Sequence, residues 1–450
     1  MTKTPASVSQ NARRPHRKNL IRRAASPATG AAPMPPAVLK EALLLLEGLR
    51  VPSDAAYTQA RDILNAFATR PPASYPTHGD TLLFLLSCAL SGRSLPGYAT
   101  LDPAQIHDIE RVVSVIKRYL DDQSQKRPLN LLMLASPGAG KSHLIQCIAE
   151  QLGTQAIGAI TYNMVSLERN EDLIPPLEAA RNLKVTDRIP LLFLDEFDAQ
   201  PAHYPLLLPL LWDGQLTVGQ HELKLGKIVV VLAGSDPRLP DAVEYARSMK
   251  PKPPQLDTNH PKLVDLLSRI NGGVLRIPQL SDPARAAERR ADKVCITLNL
   301  LRQRFGKQLR RVPITLLRFI ANTEFRYGVR SIAHLIDLIP YKRAITSLTV
   351  PMLHLPVRDE KDLKASSLAY HLLHEDQAGG IVRAWREVNT SQSLIPIGSG
   401  MLEYFSDLIR ELPPQYLSDF ALPRLWEDVT RASNAHARRR GGLRRSARGV

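Results

Sequence analysis

Short apolar runs alternate with amphipathic segments across the middle of the chain. The runs occupy residues 129–135 (LNLLMLA), 156–162 (AIGAITY), 189–194 (IPLLFL), 227–233 (KIVVVLA) and 274–277 (VLRI). Continuous apolar runs of this length are those of strands buried on both faces. Their alternation with helical spacing predicts a parallel sheet in a layered α/β unit. Upstream, residues 36–70 and 78–90 carry Leu and Ala at helical spacing, interrupted at Pro52–Asp54 and Pro71–Pro76. Asp102, Pro103 and the series Ile106, Ile109, Val112, Val113, Ile116 and Leu120 predict a capped amphipathic helix. Downstream, residues 282–341 read as helical throughout. Residues 345–428 are mixed, with a strand at 393–397 and helices at 368–374 and 401–412.

These patterns divide the chain into a basic tail (1–36), a helical N-terminal region (37–128), an α/β core (129–280), a helical lid (281–344), a C-terminal module of mixed pattern (345–428) and a second basic tail (429–450). The 450 residues are enough for several compact units. The longest apolar stretch, residues 81–90, is about half of what crosses a bilayer, so no membrane span is expected. Cys88, Cys147 and Cys295 stand far apart and form neither a zinc knuckle nor a local disulfide framework. A reducing compartment, the cytoplasm, fits this usage.

Charge changes the picture only at the two ends. Of the net +16, residues 1–40 contribute eight basic side chains without an acid and residues 429–450 contribute seven, leaving the body nearly neutral. Such tails suit contact with polyanions, or simply with solvent.

The sharpest chemical signal follows the first apolar run: Ala135-Ser136-Pro137-Gly138-Ala139-Gly140-Lys141-Ser142, then His143 and the helical pattern LIQCIAEQL. A strand, a glycine-rich loop and a helix start aim backbone N–H groups at one spot, where polyphosphate charge is stabilised. In this pattern Ser136 to His143 line the nucleotide. Lys141 reaches its outer phosphates and the Ser142 hydroxyl ligates Mg²⁺. The strict pattern has glycine where this chain has Ala135, which is tolerable at negative φ and costs on the order of 1 kcal/mol otherwise.

Fifty-four residues beyond Lys141, the run LLFL delivers Asp195 and Glu196 to the C-terminal end of a predicted strand, the end at which open α/β sheets bind ligands. Asp195 suits the Mg²⁺ shell and Glu196 the general base that polarises an attacking water.

With both motifs in this order, residues Asp102 to Tyr341 resemble the AAA+ family of P-loop ATPases, without pointing to a subgroup. The resemblance implies a P-loop sandwich core with a helical lid, ATP and Mg²⁺ as ligands, and hydrolysis of ATP to ADP and phosphate. It also implies a homo-oligomeric ring, such as a hexamer. It assigns Ser235, after the strand KIVVVLAG, to the sensor 1 position, where the family often has Asn. Arg269 becomes the finger that reaches a neighbouring subunit's γ-phosphate, with Arg276 as its rival, and Arg330 in Gly328-Val329-Arg330-Ser331 becomes sensor 2. Residues 206–225 read as a helix, a glycine turn and a strand pair. They are similar to the pore hairpin of some AAA+ subgroups and equally to plain scaffold. SLIPIGSG at 393–400 is read as an ordinary turn rather than a second phosphate loop.

Two functions are expected to compete. One is a ring ATPase that remodels a protein or nucleic-acid partner. The other is a nucleotide-gated adaptor, slow or inert in hydrolysis, that recruits partners through its tails and C-terminal module.

Overall fold

The computed structural model describes residues 36–70, 77–248, 261–281, 286–306, 308–341, 345–348, 360–365, 371 and 394–397. Both basic tails and the predicted helices at 368–374 and 401–412 lie wholly or almost wholly outside these residues. In chain order the elements are α1 (Pro36–Arg50), α2 (Asp54–Thr69), α3 (His78–Ser91), α4 (Pro103–Asp121), β1 (Leu129–Ala135), α5 (Lys141–Leu152), β2 (Ile157–Asn163), α6 (Ile174–Val185), β3 (Ile189–Asp195), α7 (Tyr204–Asp213), β4 (Gln215–Val218), β5 (His221–Lys224), β6 (Val229–Gly234), α8 (Leu239–Arg247), α9 (Pro261–Ser268), β7 (Gly273–Ile277), α10 (Ala286–Phe305), β8 (Arg311–Pro313), α11 (Ile314–Asn322), α12 (Val329–Asp337), α13 (Glu360–Ala365) and β9 (Leu394–Pro396).

Five strands form one parallel sheet in the order β2-β3-β6-β1-β7. The period-two geometry of a strand sends alternate residues to opposite faces. Leu131 and Met133 of β1 accordingly join a core with α4 and α5, while Leu132 and Leu134 join one with α6, α7 and α9. All seven residues of β1 are buried, as a central strand covered on both faces requires. The fold is therefore α/β, a P-loop sheet layered by helices.

Three features are decided by contacts between segments distant along the chain. Helix α4, capped by the Asp102 side chain on the Ala104 N–H, lays Ile109, Val112 and Ile116 on the sheet and is a layer of the α/β unit. The stretch 282–341 is not helical throughout, because Arg311–Pro313 forms β8 and pairs antiparallel with β9. Val312, as the residue before a proline, is biased to extended backbone, and Pro313, itself extended, is the N-cap from which α11 starts. Finally, α1, α2 and α3 do not stand apart. Leu45, Leu64, Phe67 and Phe84 share one core with Val294, Leu301, Leu317 and Ile332 of α10, α11 and α12.

Residues 204–225 adopt the expected helix and hairpin: α7 ends at Gly214, in left-handed conformation, and β4 pairs antiparallel with β5. Leu216, Val218 and Leu223 are buried in the core beside α7, while residues 219–222 at the turn are exposed. β9 lies in the small antiparallel pair and not in the parallel sheet. Among the described residues, no helix is long and apolar enough to cross a membrane, and the three cysteines are free thiols.

Candidate nucleotide-binding site

β1 ends at Ala135, and the loop 136–140 turns the chain into α5. Gly138 (φ 77°) and Gly140 (φ 89°) take left-handed conformations that side-chain-bearing residues adopt only at a cost. Ala135 is not among the positive-φ residues, so its methyl group is carried without strain. Gly140 is the N-cap of α5 and offers no capping side chain, which leaves the first-turn N–H groups of that helix directed at the loop. Gly138 has a second reason to be glycine: a Cβ there would lie 2.3 Å from the Tyr327 carbonyl oxygen and 3.6 Å from the Arg330 Cβ. The phosphate loop and the start of α12 are thus in direct contact.

Lys141 is 6% exposed and its ammonium lies 2.6 Å from Glu196 Oε1 and 3.0 Å from Asp195 Oδ1. Burial alone would lower its pKa, but the bonds to Glu196 and Asp195 outweigh that and raise it, so the lysine stays charged. Burial likewise pushes Glu196 up, and the bonds from Lys141 and Ser235, with the charges of Lys141 and Arg330, bring it below the ordinary carboxylate value. Glu196 itself adopts φ 54°, ψ 42°, a left-handed backbone for a non-glycine residue, and its N–H donates to Asp195 Oδ1 at 3.1 Å. Such strain, on the order of 1 kcal/mol or more, persists where surrounding bonds enforce it.

The Ser235 hydroxyl, just past β6, donates to Glu196 Oε2 at 2.6 Å. The structure therefore brings Lys141, Asp195, Glu196 and Ser235 into one bonded group, with Arg330 close enough to bias Glu196 electrostatically. Ser142 and His143 are exposed on the first turn of α5, and His143 Nε2 lies 3.0 Å from the Gly97 carbonyl oxygen. Ser136, Pro137 and Ala139 complete the loop, closed by a bond from the Ala139 N–H to the Ser136 carbonyl oxygen.

Arg269 is not part of this group. Its carbonyl accepts from Asn130 near the opposite end of β1, five residues or roughly 16 Å of strand from Ala135. Its guanidinium pairs with Asp265 and sits 5.9 Å from the Trp212 ring centroid. Arg276 is exposed on β7.

Two contributors escaped the motif reading. Asp198 accepts from the Ser235 and Asp236 N–H groups at 2.8 and 2.6 Å, and the only hint in the sequence is a third acid in DEFD. His371 pairs with the Ser331 hydroxyl at 3.1 Å, and its carbonyl accepts from the Arg326 N–H at 2.7 Å, which ties the C-terminal segment to the start of α12. A single histidine 40 residues beyond its partner carries no signal in sequence.

The residues fit a nucleoside triphosphate with Mg²⁺. The loop has backbone room and uncapped N–H groups for phosphate oxygens, and Lys141 supplies a buried cation. Ser142 and Asp195 supply oxygen donors of the kind Mg²⁺ takes alongside phosphate.

The sheet order and the loop after β1, an interior strand, define the class, a P-loop α/β fold. No family model matches the chain, and no curated protein matches it. Solved structures that resemble it include the S. cerevisiae Hsp104–ADP complex, at 17% identity over 52% of this chain and 44% of that one, with a TM-score of 0.35. NtrX from Brucella abortus resembles it at 14% identity in its complex with ATP, over 70% of this chain and 69% of that one with a TM-score of 0.37. Its complex with ADP does so over 68% of each chain, with a TM-score of 0.36. The chain thus spans less than half the length of the Hsp104 chain.

Proposed function

We propose that this chain is an AAA+ ATPase that binds ATP with Mg²⁺ and hydrolyses it to ADP and phosphate in order to remodel a protein or nucleic-acid partner. The observation that carries the reading is the buried Lys141 ammonium, held by Asp195 and Glu196 under a glycine loop at the open start of α5. In that reading the loop 136–140 and Lys141 bind the phosphates, and Ser142 and Asp195 hold Mg²⁺, which offsets phosphate charge when bound. Glu196, kept ionised by its neighbours, accepts the proton of the water whose oxygen attacks the γ-phosphorus as the bond to the β–γ bridging oxygen breaks. Ser235 orients Glu196, and Arg330 brings positive charge from the lid.

Arg269 sits beside Asn130, outside the bonded group of its own chain, so a catalytic use would need a neighbouring subunit, as in a homo-oligomeric ring. Glu196→Gln should retain ATP binding and lose turnover by about a hundredfold or more. Lys141→Ala should lose binding, and wild type should assemble in ATP. Turnover unaffected by both substitutions would overturn the assignment.

One observation favours the alternative of a nucleotide-gated adaptor: both Glu196 oxygens are already engaged, one by Lys141 and one by Ser235. A wild-type chain that binds ATP, stays monomeric and does not turn it over would decide for it.

A further inference from the structure

Asp198 sits in the 3-10 turn Phe197–Ala199 immediately after the two acids, and its carboxylate is used one-sidedly. Oδ2 accepts two successive backbone N–H groups, Ser235 at 2.8 Å and Asp236 at 2.6 Å, while Oδ1 is buried without a hydrogen-bond partner among the described residues. Burying a carboxylate oxygen unpaired is costly, so an aspartate is a poor choice here unless the grip on those two amides matters.

The surroundings are built to bring turn and strand together. The left-handed Glu196 swings the chain back beneath β6, and Phe197 is anchored in the core beside Tyr204. At Gly234 a Cβ would lie 2.4 Å from Leu239 Cδ1, 2.8 Å from Phe197 Cε1 and 3.1 Å from Asp198 Cγ. Only a residue without a side chain lets the end of β6 come this close. The amide that Asp198 fixes belongs to the residue whose hydroxyl reaches Glu196 at 2.6 Å, and Glu196 is the partner of Lys141.

We propose that Asp198 is a positioning residue: it fixes the Ser235 backbone so that the Ser235 hydroxyl orients the Glu196 carboxylate for the attacking water. Asp198 touches neither nucleotide nor water in this role. It acts through Ser235, and the inference rests on the ATPase reading of the same site. An asparagine can present its amide oxygen to the same two N–H groups, whereas an alanine cannot.

The test uses the full chain as wild type, Asp198→Ala, Asp198→Asn, Ser235→Ala and the double variant Asp198→Ala with Ser235→Ala. Asp198→Ala should lower kcat about tenfold or more at unchanged ATP affinity, because the Ser235 and Asp236 amides lose their acceptor. Asp198→Asn should stay within about twofold of wild type. In the Ser235→Ala background, Asp198→Ala should add nothing further, since both act through one hydroxyl. Independent multiplicative losses, or an Asp198→Asn variant as slow as Asp198→Ala, would overturn the proposal.

Hydrogen exchange supplies a readout that does not need turnover. The Ser235 and Asp236 amides should be protected in wild type and in Asp198→Asn, and exposed in Asp198→Ala. A wild type without ATPase activity refutes the ATPase reading, and the catalytic role of Asp198 with it. Exchange then shows separately whether the Asp198 clamp exists. Unprotected amides in wild type or in Asp198→Asn refute the clamp itself, including where Asp198→Ala does not fold.

Discussion

Among the described residues, charge is buried at the phosphate end of the sheet and at the seam between the N-terminal helices and α10, and the two burials differ in kind. At the sheet, Lys141 is enclosed but its partners Asp195 and Glu196 remain part-exposed, so the pairing is open to solvent on one side. At the seam, Arg289 is 2% exposed and bonds Asp102 at 2.9 Å and Asp292 at 2.7 Å, while the Leu101 N–H closes the remaining Asp292 oxygen. Nearby, Lys293 donates to the Thr323 carbonyl and Arg318 to that of Phe67. The lesson is that exposure of the acids, rather than the presence of an ion pair, separates a site from a strut.

Removing one partner from each region should break the comparison most visibly. Arg289→Ala leaves two carboxylates in the seam without their cation and should cost about 3–5 kcal/mol in denaturant unfolding. Lys141→Ala should cost far less stability, because Asp195 and Glu196 can hydrate, but should weaken ATP binding about a hundredfold. Equal stability losses in the two variants would erase the distinction drawn here.

The loop glycines sharpen it next. Gly138→Ala forces a methyl against the Tyr327 carbonyl and should cost on the order of 2 kcal/mol and part the loop from α12. Gly140→Ala meets no atom within 4 Å and should cost only its left-handed backbone, about 1 kcal/mol. Thermal unfolding with and without nucleotide reads both.

pH should move the two regions in opposite directions. Burial raises Asp292 to about 6 against the pull of Arg289, so its contribution to stability is present below its ordinary value and is lost as pH rises through about 6. Glu196 is held below its ordinary value, so its contribution is present at neutral pH and is lost as pH falls through that lower range. Asp292→Asn should therefore flatten the decline in stability between pH 4 and 6.5, and Glu196→Gln the decline on acidification. Lys293, lowered by burial to about 8, adds stability as pH rises beyond that value. The smallest effect belongs to Ala135→Gly, which should change ATP affinity less than twofold and stability by no more than about 1 kcal/mol.

The legible parts of the site are those in which chemistry and chain order coincide. Residues 135–142 form one strand-loop-helix unit, and Asp195 and Glu196 end an unmistakable apolar run. Ser235 and Arg330 could be named because each follows or opens such an element. Asp198 carries no local signal, because its work is a pair of bonds to amides 37 and 38 residues away. β8 lies within a stretch of helical spacing and shows no local strand signal, because its partners come from afar: β9 more than 80 residues downstream and Ser347, which bridges to Arg311.

Sequence alone determined the parallel sheet, the phosphate loop and the two acids, because strand burial and loop geometry depend on neighbours within a few positions. Tertiary structure alone decided that the N-terminal helices share a core with α10, α11 and α12, that Arg269 lies beside Asn130 and outside the Lys141 group, and that His371 bonds Ser331 near the start of α12. Each of these joins residues distant along the chain. Their free energy comes from area and charge that water loses only when the whole chain closes, and no single segment carries that information.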